Sequence, residues 1–356
     1  MPHKVIHEKS VAQAILKDSY EWPNHVKKVV PNPKITVISL TYNKKNYIRE
    51  CIEGVLMQDN TFSYEYIIAE DYSTDGTREI VKEYAEKYPN IIRVITADYN
   101  MGIVKNQYRS VEFARGEYIA FCDADDYWTE PQKLVKQVGR MESNETCHLS
   151  FHPVYRKEYG NNEMVVFKNH FSQDQIFSAE DVIVGGGDFC ITSSIVIKRD
   201  ALKKLDTWPL SWPINDYHTQ IAAALHGGAL YINEVMAVYR SGIKDSWTHS
   251  HNANREKKLN HIIDICETSR DFDTRIGYRF HSAFMKREKK VIMVFFRSAH
   301  AYDKEMVQVI KKLIRRITNP GLKARCYQVL AKSYLYYKFH IKSIFKIYRD
   351  LISKLD

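Results

Sequence analysis

Two hydrophobic periods alternate along the first third of the chain. Short runs rich in β-branched residues, at 35–40, 64–69, 91–96 and 117–122, read as strands buried on both faces. Between them the apolar residues recur at helical spacing. Over 44–58, Tyr47, Cys51 and Val55 fall at i, i+4 and i+8 with Ile48, Ile52 and Leu56 beside them, and over 77–88 Ile80, Val81, Tyr84, Ala85 and Tyr88 share a stripe. A third helix is expected over about 102–114. Repeated β-α-β units of this size predict a parallel sheet covered by helices, with ligands at the carboxyl ends of the strands. The loops at those ends are 41–43, 70–76, 98–102 and 123–128. Upstream, a short helix over about 8–17 is expected to end before Pro23, Pro31 and Pro33. Downstream, Thr129 and Gln132 with Pro131 between them read as a capping box opening a helix to about Met141. Mixed strands and helices are expected to about Arg240. After a polar stretch over 241–255, the remainder reads as helical.

Composition narrows the class. The chain has 356 residues, 44% apolar and 27% charged, enough for a real core and about two domains. Its longest apolar run, from Val291 to Phe296, falls far short of the roughly 18 residues that span a bilayer. The polar start offers no secretory segment, and six scattered cysteines without a CxxC pair read as core thiols in a reducing compartment. A cytoplasmic address is expected. The net charge of +9 is uneven: residues 255–356 carry 24 Lys and Arg against 10 Asp and Glu, so a basic end follows a mildly acidic body.

The strand-end loops carry the candidate chemistry. Thr41, Tyr42 and Asn43 alone would be an ordinary turn and helix cap. Glu70 and Asp71 would by default bond turn amides, but could equally accept hydrogen bonds from a base or a ribose. Asp123, Ala124, Asp125 and Asp126 put three carboxylates within four residues, a repulsive cluster unless a cation joins it. Hard divalent ions accept carboxylate and phosphate oxygens together. In an extended segment Asp123 and Asp125 would point the same way. Asp216 opens an amphipathic helix to about Leu225, where an acid is often just a compensator of the helix dipole. Gly185 to Gly187 is a turn without a phosphate-loop signature, and His249 and His251 read as surface histidines.

Together these motifs resemble the inverting family-2 glycosyltransferases, whose fold is GT-A: a mixed α/β sheet flanked by helices. The resemblance runs from Lys34 to Trp247, about 60% of the chain. It rests on Thr41-Tyr42-Asn43 and on Glu70 to Thr77, which stands where the family has Asp-Asp-Gly-Ser-Thr-Asp-Gly-Thr. It continues with Asn100, Gly102, Lys105 and Asn106, then Asp123 to Asp126, Thr192-Ser193-Ser194, Asn215-Asp216-Tyr217 and Val238-Tyr239-Arg240. The family commonly has Glu at Asn215, Gly at Tyr72, and His at the place of Gly242. The resemblance implies a nucleotide-sugar-binding half over 34–130 and an acceptor-binding half over 131–250, between an extension over 1–33 and a basic helical region over 251–356.

The implied donor is a nucleotide-diphosphate sugar, most often a UDP-sugar. Thr41, Tyr42, Asn43, Glu70 and Asp71 would sit around the base, and Asn100, Gly102 and Lys105 near the nucleotide or diphosphate. Asp123 and Asp125 would hold Mg2+ or Mn2+, with Ala124 beside them and Asp126 facing the sugar. Asp216 would be the general base. The implied acceptor is a glycan or lipid-linked glycan. Rival readings are a non-catalytic nucleotide-sugar-binding scaffold and a sugar nucleotidyltransferase, and the latter lacks its Gly-rich phosphate loop.

In the basic end, Lys338, Lys342, Lys346 and Arg349 line one face of a helix opposite Leu335, Phe339 and Phe345. That pattern fits either a module at the inner leaflet of the membrane or a bundle packed on the body. No nucleic-acid-binding motif accompanies the charge.

Overall fold

The computed structural model describes residues 2–23, 30–59, 61–203, 216–244, 255–298, 314, 321–324 and 326. It divides into two units, Met1–Ile243 and Lys244–Asp356. The first begins with α1 (Pro2–Lys17) and a two-residue strand, β1 (Tyr20–Glu21). Then come β2 (Ile35–Thr41), α2 (Ile48–Leu56), β3 (Tyr64–Glu70), α3 (Thr77–Lys87), β4 (Ile92–Thr96), α4 (Ile103–Phe113) and β5 (Tyr118–Phe121). Strands β2 to β5 are parallel in the order β4-β3-β2-β5, as the alternating periods predict. Every residue of β3, β4 and β5 is buried, which is why these runs carry no polar alternation.

The chain from 127 to 241 completes this sheet and builds a second one. It supplies β6 (Tyr127–Trp128), α5 (Lys133–Glu142), β7 (Leu149–Phe151), β8 (Val154–Glu158), β9 (Met164–Phe167), β10 (Gln175–Phe177) and α6 (Ala179–Gly185). A 3-10 turn over Thr192–Ser194 leads into β11 (Val196–Lys198), α7 (Arg199–Lys203), α8 (Asp216–Ala224), β12 (Ala229–Tyr231) and β13 (Ala237–Ser241). Strand β11 pairs antiparallel with β5, so the nine-stranded sheet is mixed; β6, β13, β8 and β9 form a second, four-stranded sheet. The second unit contains α9 (Arg255–Arg275) and α10 (His281–Ser298).

The structure changes several expectations. The first helix is longer than the apolar spacing shows, and β1 pairs with β4. The Thr129 capping box does not form: α5 starts at Lys133 with Gln132 as an uncapped N-cap, and Thr129 N–H instead bonds the Met236 carbonyl at 3.0 Å. Strand β6 pairs there with β13, and that pairing takes up the segment that a cap would need. A true capping box stands at Ser178 and Asp181. All six thiols are free and buried. Among the described residues no helix is long and apolar enough to cross a membrane. Trp212 to Asn215, His249, His251 and the 335–349 helix lie outside the described residues.

The candidate active site

Each loop singled out by the pattern leaves the carboxyl end of a parallel strand. Thr41 and Glu70 close β2 and β3 and sit opposite each other in register. Asp71 N–H donates to the Thr41 carbonyl at 3.0 Å, which carries the pairing into the loop. The first two loops are then tied by side chains: Asn43 N–H donates to Ser73 Oγ at 3.0 Å, and Thr74 N–H to Asn43 Oδ1 at 2.9 Å.

The two acids of the second loop are fully enclosed. Glu70 accepts from the amides of Tyr72 and Ser73 at 3.2 and 2.6 Å and pairs with Arg78 at 3.3 Å. Asp71 accepts the amides of Met101 and Gly102, both at 2.9 Å, fastening the third loop. Asn100 Oδ1 also takes the Gly102 amide at 2.9 Å, and Gly102 turns there at φ 83°. Behind them lies a residue the sequence reading passed over, Arg109, whose side chain is completely buried. It donates to the Glu70 carbonyl at 3.0 Å, to Asp71 Oδ1 at 3.3 Å and to Asn106 Oδ1 at 2.8 Å. A cation at helical spacing from Lys105 and Asn106 was the available signal. Both acids thus use their oxygens to bond loop amides, the default use for such a pair. Lys105 is exposed. In contrast, the Thr41 hydroxyl is buried and has no hydrogen-bond partner among the described residues. Such an orphan is costly to bury and marks a place where a ligand can bond.

The acidic segment is a turn, not an extended strand. Asp126 N–H returns to the Asp123 carbonyl at 2.8 Å, so strand alternation does not orient Asp123 and Asp125. Asp126 is turned into the protein. It is buried, with one oxygen accepting Ser193 Oγ at 2.8 Å and the other the Arg240 amide at 2.9 Å. The Arg240 guanidinium donates to the Asp125 carbonyl at 2.7 Å, pairs with Glu50 and lies 4.4 Å from the Tyr127 ring centre. The Thr-Ser-Ser and Val-Tyr-Arg segments, on the 3-10 turn before β11 and on β13 of the second sheet, therefore fasten this turn. Burial, then the charges of Asp125 and Asp123, push the Asp126 carboxyl well above the usual range.

Asp123 and Asp125 stay open to solvent in part. Asp125 Oδ2 pairs with Lys44 Nζ at 2.8 Å, a contact between the first and fourth loops that no local pattern announces. Asp123 is pushed up to about 7, first by the surrounding protein and then by Asp125 and Asp216, with Lys44 drawing it down. Asp216, in the first turn of α8 and 93 residues away in sequence, is near enough for its charge to act on Asp123. Asp216 itself is reached by solvent yet walled by protein, and that desolvation raises its carboxyl. Gly187 lies against it: a β-carbon there would be in ordinary contact with Asp216 Oδ1, at 3.5 Å. Gln220 holds that loop by donating to the carbonyls of Gly187 and Cys190 at 2.9 and 2.8 Å.

Among the described residues no three His, Cys, Asp or Glu side chains form a complete metal cage. Asp123 and Asp125 nonetheless fit a shared site for a hard cation. They are partly open, they repel, and phosphate oxygens from a bound donor would supply further ligands.

The comparisons agree with this geometry. The model of glycosyl transferase family 2 matches residues 36–206. Over 228 residues the chain is 34% identical to an uncharacterised Mycobacterium tuberculosis protein, covering 63% of each chain, so it spans less than two thirds of that relative. It is 39% identical over 119 residues to Bacillus subtilis TuaG, named for teichuronic acid biosynthesis, covering 33% of this chain and 46% of that one. Among solved structures, residues 1–349 of S. aureus TarS share the fold with a TM-score of 0.59 at 16% identity, over 84% of this chain and 82% of that one. TarS has also been solved with UDP and with UDP-GlcNAc. A Pyrobaculum calidifontis mannosyltransferase solved with GDP-Man and Mn2+ matches at TM-score 0.50 and 17% identity, over 94% and 95%. The matched segment, its ordered motifs and the mixed sheet that carries them make residues 36–206 a glycosyl transferase family 2 domain, with the GT-A fold.

Proposed function

We propose that the protein transfers a hexosyl or N-acetylhexosaminyl group, with inversion, from a nucleotide-diphosphate sugar to a hydroxyl of a glycan or lipid-linked glycan in surface polysaccharide synthesis. One observation carries this reading: Asp216 converges on the turn of Asp123 and Asp125 at the carboxyl end of the sheet. That arrangement sets a base with a raised pKa beside a site for a leaving diphosphate. UDP is favoured as the nucleotide because the TarS complexes hold UDP and UDP-GlcNAc on this fold.

The chain's residues divide the work. Asp216 removes the proton from the acceptor hydroxyl as it attacks the anomeric carbon from the face opposite the diphosphate. Thr41 bonds the base with its orphan hydroxyl, while Glu70 and Asp71 hold the loops around it. Asn43 and Gly102 shape those loops, with Tyr42 and Lys105 exposed at their rim. Mg2+ or Mn2+, held by Asp125 and Asp123, would neutralise charge on the departing diphosphate. Lys44 already balances Asp125 and keeps a cation at that corner. The basic charge of 255–356 supports a peripheral seat on the anionic inner leaflet, where a lipid-linked acceptor would be met.

The test is nucleotide release from a panel of UDP-, GDP- and dTDP-sugars with an acceptor extract, with Mn2+, Mg2+ or EDTA. Release from a UDP-sugar that needs both the metal and the acceptor is expected. Release insensitive to EDTA removes the metal role, and silence across the panel removes the transferase reading. Sedimentation with anionic vesicles, with and without residues 332–356, tests the membrane seat.

A further inference from the structure

Tyr72 departs from the family pattern where the backbone is least tolerant. The position turns at φ 63°, in the left-handed region that favours glycine, and the resembled motif has glycine there. The loop does not need a side chain at that point. Its amides are already held by Glu70, at 3.2 Å from Tyr72 and 2.6 Å from Ser73. Nor is the ring buried as a packing element, since 42% of the residue is exposed. A strained position bearing an open aromatic ring on a site loop calls for a functional reason.

The surroundings supply one. One side of the ring is backed by Arg78, whose guanidinium lies 5.1 Å from the Tyr72 centroid and 5.3 Å from that of Trp22. Arg78 is in turn held by buried Glu70 at 3.3 Å, so the ring is propped rather than loose. The preceding residue, Asp71, is tied through its amide to Thr41, the residue with the orphan buried hydroxyl. An open, braced π-face thus stands on a loop bonded to the strand end that presents an unused hydrogen-bonding group. Planar aromatic faces stack on nucleobases, and a single hydroxyl can read a base edge.

We propose that the Tyr72 ring is the stacking face for the donor's nucleobase, with Thr41 bonding the base edge. This rests on the nucleotide-sugar reading above and adds to it a specificity residue that this chain does not share with the family motif.

Glycine at this position separates the roles, because it relieves the backbone while removing the ring. The full-length protein, Tyr72→Gly and Tyr72→Phe are titrated calorimetrically with UDP and with inorganic pyrophosphate, both in Mn2+. The expected result is that Tyr72→Gly weakens UDP on the order of tenfold. It should leave pyrophosphate binding as in the parent and melt no lower than it. Tyr72→Phe, which keeps the ring, should restore UDP affinity to within about twofold. Unchanged UDP affinity in Tyr72→Gly overturns the stacking role while leaving the transferase reading intact. Equal loss for UDP and pyrophosphate, or a lowered melting temperature, overturns it by showing that the ring only supports the loop. A parent protein that binds neither ligand overturns the nucleotide-sugar reading itself.

Discussion

The two ends of the parallel strands hold the same kind of group in opposite electrostatic states. At the amino ends, Glu65 is completely buried yet surrounded by donors. Thr36 Oγ1 lies at 2.7 Å, Arg93 at 2.9 Å and the Arg115 amide at 2.8 Å, and Arg93 also pairs with Glu21. Burial alone would raise this carboxyl, but Arg115, Arg93 and Thr36 hold it below the ordinary value. At the carboxyl ends, Asp123 and Asp126 are raised by burial and then by neighbouring carboxylates, and Asp216 by desolvation and then Asp188. A buried acid with its donors in place is architecture. Acids left short of positive charge form a site that is stabilised by a cation or a proton.

The strongest way to break this contrast is Asp216→Asn. Removing the base should lower kcat on the order of a thousandfold with little change in donor binding; turnover near the parent's would return Asp216 to the role of a helix-start acid. Glu65→Gln should destabilise the fold by about 3 kcal/mol in urea, because it leaves two arginines facing an uncharged partner. It should leave UDP affinity untouched, and a neutral effect on stability would mean the ion cluster contributes nothing net.

Proton and metal should compete at the other end. Asp123, at about 7 rather than its ordinary 3.8, keeps in the folded protein a proton that the unfolded chain has released. This carboxyl therefore subtracts stability from the metal-free protein progressively as pH rises from about 4 to about 7. Apparent Mn2+ affinity should then climb about tenfold per pH unit below 7 and level off above it. A flat profile between pH 5.5 and 7.5 would contradict that charge balance. The smallest effect is Asp123→Asn, expected to stabilise the metal-free protein at pH 8 by on the order of 1 kcal/mol, the sign opposite to Glu65→Gln. The same sign for both would erase the distinction between the ends.

Much of the parallel half was legible because its signals are local. Strands buried on both faces must be continuously apolar, and helices between them must show one stripe, so β2 to β5 and their helices fall where the two periods put them. The Thr129 cap failed because a competing tertiary partner, β13, took the backbone of that segment. The partners of Asp126 were hidden for a related reason. Its neighbours in sequence are acids, but its partners, Ser193 and Arg240, come from far along the chain. Arg109 and Lys44 escaped notice because a cation on a helix or after a turn is ordinarily solvated, and nothing nearby in sequence says otherwise.

Residue order by itself determined the alternating strands and helices, the ends of the strands where chemistry gathers, and the types of group placed there, since each follows from periods and spacings of a few residues. Only the folded chain decided what each carboxylate does. A carboxylate's state depends on which donors and charges lie within several ångströms, and those are brought by strand pairing from segments about 70 to 115 residues away.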